Sequence, residues 1–261
     1  MSNPSIAPDI FDISDKNIVV TGANGYLGSA MTQYLAERAS SVLAISRSSD
    51  RLESIFHRYP ENLTVATMDI RDEEAVGKQL VKFSYSNGEI HGLVNNVYSG
   101  NRMPGFGAQK SEIVETFEST FIQYWTTIRQ VQRFLAKDAS IINNGSLFGM
   151  LSPDPRMYLD LKNEPSIALV TAKASVHQLT RYLAVLWAES GVRVNTIIPG
   201  MFPQKRGEER LDYMREVCRK IPMGRIGKPS DLLGCVHYLL SDSSAYLTGQ
   251  ELVIDGGYTI I

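Results

Sequence analysis

Three small groups of residues in this chain have the types and spacing to do chemistry. The first is Thr21 to Gly28, "TGANGYLG", with glycines at 22, 25 and 28. That spacing permits a tight turn, close approach of backbone to a pyrophosphate, and close packing of the next helix on the preceding strand. Glycine-rich turns also serve as plain strand-to-helix connections, but a position between a first strand and a first helix favours a dinucleotide. The second group is Ser46-Arg47, at the end of the next β-branched run, where an Asp or Glu would hold the ribose 2′-hydroxyl of NAD. A hydroxyl beside a guanidinium suits a 2′-phosphate instead, through charge-assisted hydrogen bonds, and so favours NADP(H). The alternative is an arginine that only reaches into water from a strand end. The third group is Ser146 and Lys173, the lysine lying within "PSIALVTAKASVHQLTRYLA" at 165–184. Four residues before the lysine, on the same helical face, stands Leu169, which has no proton to give. Taken singly, Lys173 reads as an exposed helix lysine and Ser146 as a turn cap.

The elements that must position these groups follow a βαβ rhythm. "NIVVTG", "SVLAIS", "LTVATMD", "HGLVNN", "SIINNGS", "VRVNTIIPG" and "ELVIDGG" read as buried strands, most of them followed by helix-period segments. This predicts an α/β fold: a doubly wound, Rossmann-like parallel sheet of about seven strands in a single domain spanning 1–261. Residues 1–16 read as an N-terminal arm. Two stretches interrupt the rhythm at strand ends, where open α/β sheets bind ligands: 147–166, rich in Pro, Asp and Met, and 201–224. The second contains "QKRGEERLDYMREVCRK", which reads as a surface helix with Leu211, Met214 and Val217 on its apolar side.

Composition narrows the partners. A chain of 261 residues that is 43% hydrophobic, with a formal charge of −2, can bury one large core and carries no electrostatic footprint for nucleic acid or an anionic membrane. A small-molecule substrate is expected. Cys218 and Cys235 form no CxxC, and no histidines group at metal-ligand spacing, so neither disulfides nor a structural zinc is expected. The opening "MSNPSIAPDIFDISDK" has neither a basic start nor a continuous apolar run, and a cytoplasmic protein is expected.

In order along the chain, these motifs resemble those of the short-chain dehydrogenase/reductase family. "TGANGYLG" is similar to its glycine motif, Asp69-Ile70 to its adenine contact, "NNVY" at 95–98 to its Asn-Asn-Ala-Gly loop, and Ser146 and Lys173 to its catalytic serine and lysine. "PG" at 199–200 is similar to its cofactor-closing turn, and "LTGQELVIDGG" to its C-terminal strand. The resemblance implies an NADP(H) site built from Gly22, Asn24, Gly25, Tyr26, Leu27, Gly28, Ser46, Arg47, Asp69, Ile70, Asn95, Asn96, Val97, Lys173, Pro199, Gly200 and Phe202. It implies hydride exchange with a carbonyl or hydroxyl carbon, and assembly as a homodimer or homotetramer. The loop "NNVY", the insertion after Ser146 and the short C-terminal third are similar to oxidoreductases of flagellin-modification and nonulosonic-acid pathways, which implies a carbohydrate substrate.

The family's proton-transferring tyrosine would fall at Leu169, and a relay asparagine at about Thr120. The catalytic positions are therefore Ser146, Leu169 and Lys173, with the proton donor missing. Tyr158 in the insertion is a candidate substitute; Tyr98, Tyr182 and Tyr213 are weaker ones, and His177 reads as a helix-packing residue. Two functions stay open: an oxidoreductase with another proton donor or a disabling replacement at 169, and an inactive cofactor-binding scaffold.

Overall fold

The computed structural model describes residues 9–97, 105–154, 166–204 and 211–261, without the side chains of 211–213. Seven strands form one parallel sheet in the order β3-β2-β1-β4-β5-β6-β7. They are β1 (Asn17–Thr21), β2 (Ser41–Ser46), β3 (Leu63–Thr67), β4 (Ile90–Asn95), β5 (Leu135–Asn144), β6 (Arg193–Pro199) and β7 (Glu251–Ile254). The order reverses between β1 and β4, so the carboxyl ends of these two strands open the crevice in which such sheets take ligands.

The strands are apolar on both faces because helices cover both. Val19, Leu43, Leu93, Ile141 and Val194 pack beneath α3 (Glu73–Asn87), α5 (Gln123–Val131) and α6 (Ile167–Trp187). Their neighbours Ile18, Val20, Val42, Val94, Ile142 and Ile197 face α1 (Tyr26–Ala36) and α8 (Ser230–Leu240) on the other side. The alternation is the period-2 geometry of a strand expressed in a sheet with no wet face.

Two further helices contribute to the rim of the crevice, α2 (Asp50–Ile55) through Arg51 and α4 (Lys110–Phe117) through Glu115, and a third, α7 (Leu211–Arg219), follows β6 in the chain. A π-helical turn at Glu118–Ile122 joins α4 to α5 and rotates the polar residues Ser119 and Gln123 into the crevice wall. No described helix is long and apolar enough to cross a membrane.

Candidate active site

A cleft of about 900 Å³ runs along the carboxyl ends of the strands. The glycine turn forms its floor. Gly22 has φ +62°, and a Cβ there would meet the Asn96 carbonyl oxygen at 2.5 Å; one at Gly28 would meet the Gly22 oxygen at 2.1 Å. Only glycine allows this pair of close approaches. α1 begins directly after Gly25, with no acidic residue in its first turn, so its positive end faces the cleft unopposed. A cradle that a side chain would fill, at the start of such a helix, fits a dinucleotide pyrophosphate. Asn24 ties the cradle to the next element: its Oδ1 accepts the Arg51 and Leu52 N–H groups at 2.8 and 3.0 Å, and its Nδ2 donates to Ser48 Oγ at 2.8 Å.

One end of the cleft is basic. Ser46, Arg47, Ser48, Arg51, Asp69 and Arg71 line it. Asp69 is gripped by the Arg71 guanidinium, with Nε at 3.0 Å and Nη2 at 2.5 Å from Oδ2, and these hydrogen bonds hold its carboxyl below the usual range. Among the described residues no hydrogen bond occupies the Arg47 guanidinium. Ile70 and Val97 complete the wall, and Pro199, Gly200 and Phe202 form the far lip. Gly200 donates to the Ile254 carbonyl at 2.9 Å, which anchors the lip to β7.

The middle of the cleft is held by amides that cross three strands. Thr21 Oγ1 donates to Asn95 Oδ1 at 3.1 Å and accepts the Asn96 N–H at 3.1 Å. Asn144 Nδ2 donates to Asn96 Oδ1 at 2.5 Å, while Asn144 Oδ1 is buried without a partner among the described residues. Asn144 lines the cleft, so this acceptor is left for a bound group.

Ser146, Leu169 and Lys173 meet at the other end. Ser146 lies two residues beyond β5 and caps a short 3-10 turn: its Oγ accepts the Phe148 N–H at 3.2 Å. That bond uses a lone pair and leaves the hydroxyl proton for another acceptor. Leu169 sits in the first turn of α6, whose cap is Ser166 Oγ accepting the Leu169 N–H at 3.2 Å. Lys173, one turn further, is 5% exposed and donates to the Asn144 carbonyl at 2.7 Å. Among the described residues no carboxylate pairs with it, and burial pushes its ammonium down to about 7.

The same Asn144 carbonyl accepts the Tyr124 hydroxyl at 2.9 Å, and that hydroxyl oxygen lies 3.5 Å from Lys173 Nζ. Tyr124 is fully buried, and its pKa is driven far above the ordinary phenol by desolvation. It is therefore a fixed neutral hydroxyl and not a base at neutral pH.

Most residues expected from the sequence lie on this cleft, and two lie behind it. Gly28 supports Gly22 from below, and Asn95 is a buried strut that also donates to the Tyr124 carbonyl at 3.2 Å. Thr120 is buried away from the cleft, with no hydroxyl partner among the described residues. Tyr182 lies on the outer surface of α6. Tyr98, Tyr158 and the Tyr213 side chain lie outside the described residues. His177 is a buried packing residue, set against the Ser146 turn. Sequence reasoning passed over Arg51, Arg71, Tyr124 and Asn144. The cluster "SRSSDR" carried a readable hint of Arg51, four residues after Arg47, whereas nothing local marks Tyr124.

Residues 22–259 match the family profile described as Enoyl-(Acyl carrier protein) reductase. An NAD-dependent glycerol dehydrogenase of Listeria innocua is 25% identical over 96% of this chain and 96% of its own length. A gluconate 5-dehydrogenase of Gluconobacter oxydans is 25% identical over 97% of this chain and 98% of its own. A crystal structure of a short-chain dehydrogenase of Leptospira borgpetersenii with bound NAD+ superposes with a TM-score of 0.86, at 26% identity, covering 99% of each chain.

Proposed function

This chain belongs to the short-chain dehydrogenase/reductase family, and from that premise we propose that it exchanges hydride between NADP(H) and a carbonyl or hydroxyl carbon of a polar, carbohydrate-type substrate. The observation that carries the choice of NADP(H) is the basic end of the cleft. Arg47 and Arg51 line that end and would pair with a 2′-phosphate, while the carboxylates nearby are turned to Arg71: Asp69 is gripped by it, and Glu115 and Glu118, which also line the cleft, act on it. The bound cofactor supplies the hydride. The chain's own residues would hold and orient: the glycine turn would take the pyrophosphate, Lys173 and Asn144 would meet polar groups of the nicotinamide half, and Ser146 would donate its free proton to the substrate oxygen.

The proton that a family tyrosine would move has no owner at Leu169. Lys173, tuned to about 7 by burial, is the titratable group nearest neutrality that lines the cleft. Glycerol and gluconate, the substrates named for the two relatives, support a polyhydroxylated ligand, and the motif likeness adds nine-carbon sugars to the panel. We place the protein in the cytoplasm as a homodimer or homotetramer with no nucleic-acid or membrane partner, on the strength of its near-neutral charge and the apolar outer face of α6.

Calorimetry with NADPH and NADH is the direct test. NADPH is expected to bind more tightly, and Arg47→Ala to lose about 1.5–3 kcal/mol for NADPH and little for NADH. Equal affinities in the unmodified protein would refute the assignment. A second reading, a cofactor-binding scaffold without turnover, is favoured by the apolar Leu169 at the reacting end. It gains if NADPH binds and no substrate of the panel is turned over.

A further inference from the structure

His177 is a buried titratable group beside the site to which the proposed reaction gives no role. It lies one turn beyond Lys173 on α6 and is 2% exposed. Its ring fills the space under the Ser146 turn: a Cβ at Gly145 would meet Nε2 at 2.5 Å, and one at Gly149 would meet Cε1 at 2.7 Å. The two glycines that bracket Ser146 therefore make room for an imidazole. Nε2 accepts the Ser146 backbone N–H at 3.3 Å. Nδ1 faces Glu251 Oε2 at 3.4 Å, and the other Glu251 oxygen pairs with Arg181. An imidazole that accepts at Nε2 carries its proton on Nδ1, and the Glu251 carboxylate is the acceptor that selects this tautomer.

We propose that His177 is a positioning residue for Ser146: the neutral imidazole, oriented by Glu251, fixes the Ser146 backbone so that Oγ, already accepting the Phe148 N–H, aims its proton at the substrate oxygen. The purpose of the device rests on the oxidoreductase reading; its geometry does not. Protonation would set a ring N–H against the Ser146 N–H and open the clamp. Glu251 on β7 favours the protonated ring, while burial, with Lys173 and Arg181 on α6, opposes it, and the balance leaves the pKa below that of an ordinary histidine. The clamp is closed at neutral pH and opens in acid.

The test follows the Ser146 amide by NMR in protein labelled with 15N-serine, the signal being assigned by its loss in Ser146→Ala. Two variants accompany it: His177→Gln, whose amide oxygen reaches the place of Nε2, and His177→Leu, which fills the volume without an acceptor. In the unmodified protein the Ser146 signal is expected to move in one step with the His177 titration, below the ordinary histidine range. H177Q should abolish the step and keep the neutral-pH position, and H177L should displace the signal at every pH. With NADPH and any substrate turned over, kcat should fall about five- to tenfold in H177L, the loss of one hydrogen bond's positioning, at unchanged KM for NADPH, and recover in H177Q. A Ser146 signal that ignores both the titration and H177L overturns the proposal, as does an equal kcat in all three proteins. Should H177L not fold, the step in the unmodified protein and its absence in H177Q decide. A protein that shows the step but binds no NADPH supports the clamp and refutes the cofactor reading instead.

Discussion

At the scale of single residues, the site turns on what surrounds Lys173. Leu169 shares its helical face and lines the cleft with it, so Leu169→Tyr would set a phenol beside an ammonium and near Ser146. General acid–base catalysis is worth ~10²–10⁴ in rate, and an increase in kcat of that order is the expected outcome in an NADPH-coupled assay over the substrate panel. No change, with NADPH bound, would favour the scaffold. The lysine also leaves a mark on stability. Burial holds it at about 7 against an ordinary 10.5, so between those values the unfolded chain carries a proton at 173 that the folded chain has released. Folding is penalised fully below the lower value, and the penalty fades as pH rises through the window. Denaturation of the cofactor-free protein should show stability rising across that range, and Lys173→Met should remove the rise. The sequence displayed Ser146, Leu169 and Lys173 because they recur in a motif order, yet it hid their real neighbours. Tyr124 and Asn144 are brought to Lys173 by the packing of α5 and β5 beneath α6, a contact between residues 49 and 29 positions away that no local pattern announces.

At the scale of elements, all seven strands were readable because a parallel sheet covered on both faces leaves continuous β-branched runs. β5 is the partial exception. It starts at Leu135, earlier than the apolar run "SIINN" indicates, and its register with β4 shifts between Ile90 and Gly92. The π-helical turn at Glu118–Ile122 was not legible either, because its residues carry an ordinary helical pattern, and the wider turn shows only in the hydrogen bonding. The glycine turn was legible and makes the sharpest prediction at this scale. Gly22→Ala would place a methyl 2.5 Å from the Asn96 oxygen at a left-handed backbone. It should destabilise the fold by about 1–3 kcal/mol and weaken NADPH binding, measured by denaturation and calorimetry on the same variant. Gly25, whose φ of −67° is ordinary, should tolerate the same change with a smaller loss of stability.

At the scale of the whole molecule, α6 has two sides with different business. Its inner side carries Lys173 and His177 into the core. Its outer side presents Tyr182, Val185 and Leu186 to solvent at 62%, 82% and 56% exposure, with Gln178 and Arg181 along the same groove. Trp125 on α5 is also exposed, at 41%, and the Arg129 guanidinium lies 4.8 Å from its ring centre. A helix that has already buried one apolar face gains nothing in a monomer from a second, and a contiguous patch of this kind costs solubility unless another surface covers it. A second copy of the chain meets the requirement most simply, since a two-fold axis along α6 would set the same apolar residues against themselves. Light scattering at micromolar concentration is expected to give the mass of a dimer or tetramer, and Val185→Glu, which would bring two like charges together at such an axis, should shift it toward the monomer. Because position 185 faces away from the cleft, NADPH affinity in the dissociated variant should stay within a few-fold of the original; a monomeric unmodified protein would refute the assembly and leave the outer face of α6 without an explanation.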